Sequence, residues 1–360
     1  MTTTLPPTTP LPPTTPLPPA TTSPPTPDPG RTPRSDFGPL AKRVRAAGLL
    51  EPRPDFYVSS ALLSFGLVWL SVLLLITLQG TAWALLVAPL VAVASAQLAY
   101  LGHDIGHHQV IRGARWRWLA GATLANLVTG LSYGWWNDKH NRHHASPNVD
   151  GSDPDVADGI IAWSDRQAAR RTGFGRWFAR HQAKFFLPLL TLTGIGLRVA
   201  SLQNLRDRTG WKRVAEAVML LGHIVITFGF LSWIGGWVFA VQFLVIMNLC
   251  WGFIMGMAFA PNHKGMLAPE PEERLDHLRK QVLTSRNLVG GRFVDWWYGG
   301  LNYQIEHHLF PSMPRPNLPA ARHIVKDHCR KVGLPYHEVG LLDSYREILG
   351  HLDHVGGAAR

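Results

Sequence analysis

The chain has 360 residues, of which 46% are hydrophobic and 16% are charged, below the roughly one quarter that is usual in soluble domains. Its formal net charge of +11 would suit nucleic-acid binding if the protein were soluble. However, residues 56–103 and 217–263 contain no Asp, Glu, Lys or Arg, and each stretch could cross a membrane twice at about 20 residues per span. The composition therefore indicates a polytopic membrane protein, because helices of a soluble protein need a polar face.

The first 34 residues differ in composition from the rest of the chain. Residues 2–19 repeat a six-residue unit of Thr, Leu and Pro, without the apolar core of a signal peptide. Such a proline content favours polyproline II and cannot bury a core, so residues 1–34 are interpreted as a disordered Pro/Thr-rich tail. Residues 35–360 are expected to form one membrane domain.

The predicted membrane spans lie near residues 61–78, 83–101, 214–232 and 237–260. They follow a short amphipathic helix at residues 37–47, for which Ser35 and Asp36 are the candidate caps. The connectors 79–82 and 233–236 carry no Lys or Arg, whereas basic residues precede the first span and fill residues 112–213. By the positive-inside rule, both termini and the central loop are expected in the cytoplasm.

Two further apolar stretches, residues 118–133 and 185–202, are interrupted by Gly, Asn or Pro and are predicted to be interfacial or half-inserted helices. Two cytoplasmic helices are predicted at 318–331 and 341–352. The fold prediction is therefore an all-α polytopic membrane protein with four transmembrane helices. Residues 102–213 and 261–360 would form a cytoplasmic helical cap.

Three adjacent histidine pairs occur in the chain, more than chance placement of its 17 histidines predicts. Each pair follows another histidine, or a glutamine, at a spacing of three or four residues. On a helix these positions share one face, so each group aims its side chains at one point. The groups are His103, His107 and His108; His140, His143 and His144; and Gln304, His307 and His308.

The expected topology places all three groups on the cytoplasmic side, and His263 ends the fourth span at the same depth. Eight or nine imidazoles exceed the four ligands of a structural zinc site, and copper transport would favour Met and Cys. Imidazole suits iron, and eight nitrogen donors suffice for two ions with positions left open for O2. The pattern predicts a histidine-rich di-iron site rather than a carboxylate-bridged one.

Several residues beside these groups are candidates for a metal-binding or supporting role. An amide oxygen of Gln304 could bind iron weakly or hold a ligand through a hydrogen bond. His108 points about 100° away from His107 around a helix, which suits packing as well as metal binding. Asn262 could hold a metal-bound water or cap a helix. Three carboxylates are expected either to accept a second ring N–H or to be surface charges: Asp104, Asp138 and Glu306.

The motifs HDIGHH (103–108), HNRHH (140–144) and QIEHH (304–308) resemble the three histidine boxes of membrane fatty acid desaturases. The flanking GLNY (300–303) and LFP (309–311) are similar to the front-end (Δ5/Δ6) and linoleoyl-CoA-type subgroup. The resemblance runs from about residue 36 to 345. It implies an oxidoreductase with a di-iron centre that uses O2 as co-substrate to introduce a cis double bond into an acyl chain. The implied metal ligands are His103, His107, His140, His143, His144, His263, His307 and His308.

Many front-end members carry a fused cytochrome b5 domain with a His-Pro-Gly-Gly motif, which this sequence lacks. A separate electron donor is therefore expected: a ferredoxin, a cytochrome b5-like protein or a flavin/iron–sulfur reductase. The other expected partners are a long-chain fatty acyl substrate, as CoA thioester or lipid, and membrane lipid, without nucleic acid. The expected location is a bacterial cell membrane, with the active site facing the cytoplasm.

Two alternatives remain open at this point. A lipid hydroxylase could use the same scaffold. From a different class, a non-enzymatic membrane metal-binding protein or transporter would need polar residues along the spans, where the sequence offers few.

Overall fold

The computed structural model describes residues 36–270 and 272–359, apart from the side chain of Asp207. The predicted Pro/Thr-rich tail lies outside the described residues. The described part is mostly helical, with two short parallel strands, β1 (Asn287–Val289) and β2 (Glu338–Gly340). Its helices are α1 (Phe37–Ala46), α2 (Pro54–Thr77), α3 (Ala88–Gly106), α4 (Ala114–Ala122), α5 (Tyr133–Ala145), α6 (Asp165–Ala169), α7 (Gly173–Leu190), α8 (Thr193–Asn204), α9 (Gly210–His263), α10 (His277–Leu283), α11 (Arg292–Trp297), α12 (Gln304–Leu309), α13 (Leu318–Lys331) and α14 (Leu341–Gly357).

Three helical segments in the described residues are long and apolar enough to cross a membrane. They are Pro54–Thr77, Ala82–Gly106, which includes a 3-10 turn before α3, and the 54-residue α9. A fourth would be counted if α7 and α8, which meet at an angle of 85°, formed one broken span. The apolar side chains of Leu62 and Trp69 are about 70% exposed, as expected of helices that face lipid.

Helix α9 is not continuous, because Gly236 has φ 85° and ψ 169°. Only glycine adopts this backbone readily, and it joins two helices across a kink. The predicted connector at 233–236 is therefore shorter than expected, since residues 233–235 stay helical. The predicted connector was too long, because the sequence between the two spans contains no proline or charged residue that would end the first helix earlier.

Helix α3 forms the centre of the membrane-facing part and packs against α2 and α9. Its buried Ala88, Ala92 and Ala96 recur every fourth residue on one face. Such small side chains let helices approach closely in a membrane. Larger side chains of α9, including Phe243 and Trp251, fill the space beside them. This packing carries the C-terminal end of α3 to the same level as that of α9.

Helix α5 is held against both α3 and α9. At Gly106 of α3, a Cβ atom would lie 2.7 Å from the Trp136 ring, so only glycine permits this approach. The N-terminal Ser132 hydroxyl accepts a hydrogen bond from Trp135 N at 3.1 Å and donates one to buried Glu216 on α9 at 2.5 Å. These contacts fix the direction in which α5 presents its side chains.

Several predicted segments have different boundaries or contacts in the structure. Asp36 makes no side-chain cap bond at α1; it pairs instead with Arg279 at 3.0 Å. The stretch predicted at 118–133 contains the end of α4, a π-helical turn at Thr123–Thr129 and left-handed Gly130. Helix α13 has the predicted bounds, and α14 continues five residues beyond residue 352 because its apolar face extends to Val355.

Candidate metal centre

The structure brings the eight histidines together where α3 and α9 end and where α5 and α12 pack against them. The ring nitrogens of His103, His107, His140 and His307 lie within 4.8 Å of one another. The histidines His143, His263 and His308 form a second group by the same measure. His144 lies between the groups, with ring-centroid distances of 4.7 Å to His107 and 4.1 Å to His308.

Four of these imidazoles have an oxygen acceptor at Nδ1. The pairs are His103 with Asp104 (3.1 Å), His143 with Asp153 (2.9 Å), His263 with the Thr284 carbonyl (2.9 Å) and His308 with Gln281 (2.9 Å). An acceptor at Nδ1 requires a proton there, so the neutral ring keeps its lone pair on Nε2. This is the arrangement that orients and strengthens metal-binding histidines.

The Nε2 atoms then face one another inside the cluster. The Nε2 atoms of His143 and His263 are 3.2 Å apart. Since both rings already donate from Nδ1, two lone pairs oppose each other, and a cation between such atoms removes the repulsion. In addition, Nε2 of His103, His307 and His308 is buried and has no hydrogen-bond partner among the described residues. An all-imidazole set of this kind fits iron.

Burial also keeps the cluster ready to bind a metal. Desolvation, followed by the charges of neighbouring imidazoles, holds the pKa of His140, His144, His307 and His308 well below the ordinary value. These rings are therefore neutral at physiological pH. Neutral imidazole is the form that binds a metal ion, so no proton has to be displaced from them at that pH.

Gln304 is buried and lies inside the cluster at the first residue of α12. Its Nε2 atom is 2.8 Å from Nε2 of His263, and its Oε1 atom accepts a hydrogen bond from Asn262 Nδ2 at 3.3 Å. The Oδ1 atom of Asn262 is buried without a partner in the described part of the chain. The Gln304 amide of α12 therefore contacts His263 directly and is itself held by the Asn262 amide of α9.

Within the residues that the structure describes, three of the candidates for a supporting role make no hydrogen bond to the clustered imidazoles. His108 is exposed at φ 64°, because α3 ends before it and the chain turns away. Asp138 is exposed on the outer face of α5, since it lies two residues from His140 and thus about 200° around the helix. Glu306 is buried, but its carboxylate accepts hydrogen bonds from Asn287 at 2.7 Å and Tyr336 at 2.8 Å rather than from an imidazole. Burial raises the pKa of Glu306 to about 7.

Sequence reasoning missed three residues that hold the histidines. Asp153 accepts from His143 and from the backbone of Asn148 at 2.8 Å, so a turn ten residues beyond His143 orients the ring of that histidine. The Asp-Pro pair at 153–154 was a turn signal, although nothing in it indicated a histidine partner. Gln281 on α10 and Arg315, which binds Asp104, have no periodic signal because they act through tertiary packing.

A cavity of about 520 Å³ adjoins the cluster. Imidazoles and Gln304 line one side of it, and apolar side chains of α3, α7, α8 and α9 line most of the rest, such as Leu98, Leu190, Met255 and Phe259. Lys139 and Lys264 are the ammonium groups in its wall. The cavity thus presents mostly apolar walls directly beside the histidine cluster.

Comparison with known proteins gives one family. The family model described as "Fatty acid desaturase" matches residues 80–340. The chain is 33% identical over 324 residues to the Delta(5) fatty acid desaturase fat-4 of Caenorhabditis elegans, an alignment that covers 86% of this chain and 70% of that protein. It is 30% identical to the Delta(8)-fatty-acid desaturase of Euglena gracilis, over 84% and 74% of the two chains. Identity to the Delta(6)-fatty-acid desaturase fat-3 of Caenorhabditis elegans is 28%, over 89% and 74%.

Proposed function

Since the chain belongs to the fatty acid desaturase family and is an oxidoreductase that desaturates fatty acids, we propose that its histidine cluster holds two iron ions and that O2 is its co-substrate. Each turnover would convert –CH2–CH2– to –CH=CH– and reduce O2 to two water molecules. Two electrons and two protons come from the acyl chain, and the other two of each come from outside. Bound iron would supply the O2 activation that side chains cannot provide.

The ligands in this proposal are the eight clustered histidines. The opposed Nε2 lone pairs of His143 and His263, 3.2 Å apart, are the observation that supports it most strongly. The amides of Gln304 and Asn262 adjoin this pair and would hold a ligand or a bound water in place. The carboxylates of Asp104 and Asp153 keep the proton of their histidine on Nδ1, so Nε2 is directed at the metal.

The cavity is the proposed site of the acyl chain. Its apolar walls would bind the methylene groups and exclude water, while the histidines at one side fix which carbons lie nearest the metal. Lys139 pairs with Asp155, and Lys264 donates to the Asp155 carbonyl at 2.8 Å, so both ammonium groups in the wall already have partners. The acyl group is proposed to arrive as a CoA thioester or within a lipid. A long-chain acyl group in either form is thus the proposed substrate.

We also propose four membrane crossings, with both termini and the cap in the cytoplasm. Two of them are the halves of α9, because its 54 residues would extend about 80 Å as one helix, more than twice the hydrocarbon thickness. The kink at Gly236 is the turn between these halves. The three relatives described above come from eukaryotes and give no support to a bacterial location.

Fatty acid methyl ester analysis of cells that express the chain tests the function. The proposal expects a new double bond in acyl chains of expressing cells and none in cells that carry the His307→Ala variant. A hydroxylated acyl chain in place of the olefin would overturn desaturation in favour of hydroxylation on the same scaffold. If cells with the wild-type chain and cells with the His307→Ala variant had identical fatty acid profiles, with iron and a reductant supplied, neither desaturation nor hydroxylation would be supported.

A further inference from the structure

Helices α1 and α13 form a surface with a concentrated positive charge. This basic face consists of Arg43, Arg322, Lys326, Arg330 and Lys331 together with the carboxylates that they contact. Asp327 pairs with Arg43, Arg330 and Lys331, while Glu338 pairs with Arg322 and Lys326. Five cations therefore share two carboxylates, and the face keeps an excess of three positive charges.

Three of the five cations of the basic face are accessible to a partner. The side chains of Arg330, Lys331 and Lys326 are 81%, 62% and 53% exposed. Ion pairs this exposed contribute little to the stability of the fold. The excess positive charge affects binding instead, because it attracts a negatively charged partner and orients it during association.

A chain of contacts also connects the basic face with the histidine cluster. A recess in it is lined by Lys326, Arg330 and Tyr336. The Tyr336 hydroxyl donates a hydrogen bond to Glu306 at 2.8 Å, and Glu306 is the chain neighbour of His307. One hydrogen bond and one peptide unit thus connect the recess with a proposed iron ligand.

We propose that the basic face binds an acidic one-electron carrier protein, which supplies the two outside electrons of each turnover. Two reduced carriers would each give up one electron and leave oxidised, and the two accompanying protons come from water. This inference rests on the proposed function. The carrier would dock on a surface centred on Lys326 and Arg330, and its electrons would enter the protein at Tyr336.

The orientation of α13 favours a protein over a lipid surface as the occupant. Its N-terminal end is tied to the start of the first span, since Asn317 accepts from Arg53 at 3.2 Å and donates to the Leu49 carbonyl at 2.8 Å. Lys326 and Lys331 follow Leu318 by 8 and 13 residues, which is about 12–20 Å along the helix. Lys326 and Lys331 are therefore displaced along α13 from the end that adjoins the membrane segment.

Binding of a carrier to the purified full chain in nanodiscs of neutral lipid tests the proposal. The probes are an acidic plant-type [2Fe–2S] ferredoxin and the soluble domain of cytochrome b5, each titrated against wild type and Lys326→Glu/Arg330→Glu. The matched control is Arg170→Glu/Arg346→Glu, because both arginines are exposed (58% and 75%) and paired with a nearby Asp. We expect the basic-face variant to weaken binding of at least one carrier by about tenfold or more at low salt, with the difference lost at about 0.5 M salt.

Several outcomes would overturn the proposal. Equal dissociation constants for wild type and the basic-face variant with both carriers would do so, as would equal weakening in the control variant. Loss of binding to anionic vesicles with carrier binding unchanged would assign the basic face to lipid.

Binding does not depend on iron or turnover, so its result is separate from that of the product analysis. If the chain binds carriers through this face but forms no olefin with any reductant, the function fails while the docking surface stands.

Discussion

The Arg315 guanidinium donates to the Asp104 carboxylate inside the protein, with Nε 2.9 Å from Oδ2 and both side chains less than a tenth exposed. The other oxygen of Asp104 accepts from Nδ1 of His103. A residue beyond the third histidine motif thus orients the first histidine of the first motif. Removing one partner from a buried ion pair leaves an uncompensated charge, which typically costs about 3–5 kcal/mol.

We therefore expect Arg315→Met to lower the melting temperature and to weaken iron retention by about 10- to 100-fold. Arg315→Lys should recover part of both properties, because it restores the charge without the two-pronged geometry. The measurement is iron content after dialysis against graded chelator, together with thermal unfolding in detergent. Arg346→Met, which breaks an exposed pair with Asp343, is the control. Unchanged iron retention in Arg315→Met would remove the positioning role.

Gln304 provides a second prediction, because its amide contacts both His263 and Asn262. Gln304→His should retain iron, since another imidazole points in the same direction. Gln304→Ala should lower turnover by about tenfold or more, as is usual when a group that supports a metal ligand is lost. Initial rates and iron content of both variants are compared with those of Gln203→Ala, an exposed glutamine on α8. A fully active Gln304→Ala variant would show that the amide is only part of the scaffold.

The cavity predicts a change in substrate length. Gly196 lines it, and a Cβ built there meets no atom within 4 Å. Gly196→Leu should therefore take up space in the cavity without strain and shift the product profile toward shorter acyl chains. Gly229→Leu is the matched control, since a Cβ there also meets nothing and the residue does not line the cavity. Chromatography of methyl esters from mixed substrates measures the shift; identical profiles for both variants would place the acyl chain elsewhere.

Cys329 tests the packing of α13 independently of the metal. Burial, with a further contribution from the Glu306 charge, raises the pKa of this thiol to about 12, so at pH 8 the folded chain carries far less of the reactive thiolate than an exposed cysteine does. In a Cys250→Ala background, alkylation at pH 8 should be at least about 100-fold slower for the folded than for the unfolded chain. Labelling is followed by mass spectrometry. Rapid alkylation of the folded protein would mean that α13 does not pack against the site as described.

Much of the arrangement follows from local patterns in the sequence. Charge-free stretches located the helices that are long and apolar enough to cross a membrane, and a spacing of three and four residues put the imidazoles of α5 on one face. Residues such as Asp153, Gln281 and Arg315 could not be found in this way, because they reach the histidines across the fold rather than along a helix. Asp138 shows the converse, since a carboxylate near a histidine in sequence can lie on the opposite face of the helix.

The helix boundaries show the same limit. A loop was predicted between the last two predicted spans, but the structure has only a kink there, which the positive φ of Gly236 produces. His328 is another example: polar residues surround it in the sequence, yet it is buried, and its Nε2 atom lies 2.9 Å from the Asp36 carbonyl oxygen. Such contacts depend on how α1 packs against α13, and no local pattern reports that.

The eight clustered histidines are proposed to hold two iron ions. The most direct test counts iron per chain in protein purified from iron-supplemented cells, with protein quantified by amino acid analysis. We predict two iron ions per wild-type chain and fewer in a His143→Ala variant, whose substitution removes one of the two opposed Nε2 atoms of His143 and His263. The di-iron site would be contradicted if the wild-type protein bound no iron. It would also be contradicted if the wild-type protein bound one ion only and the His143→Ala variant retained that ion.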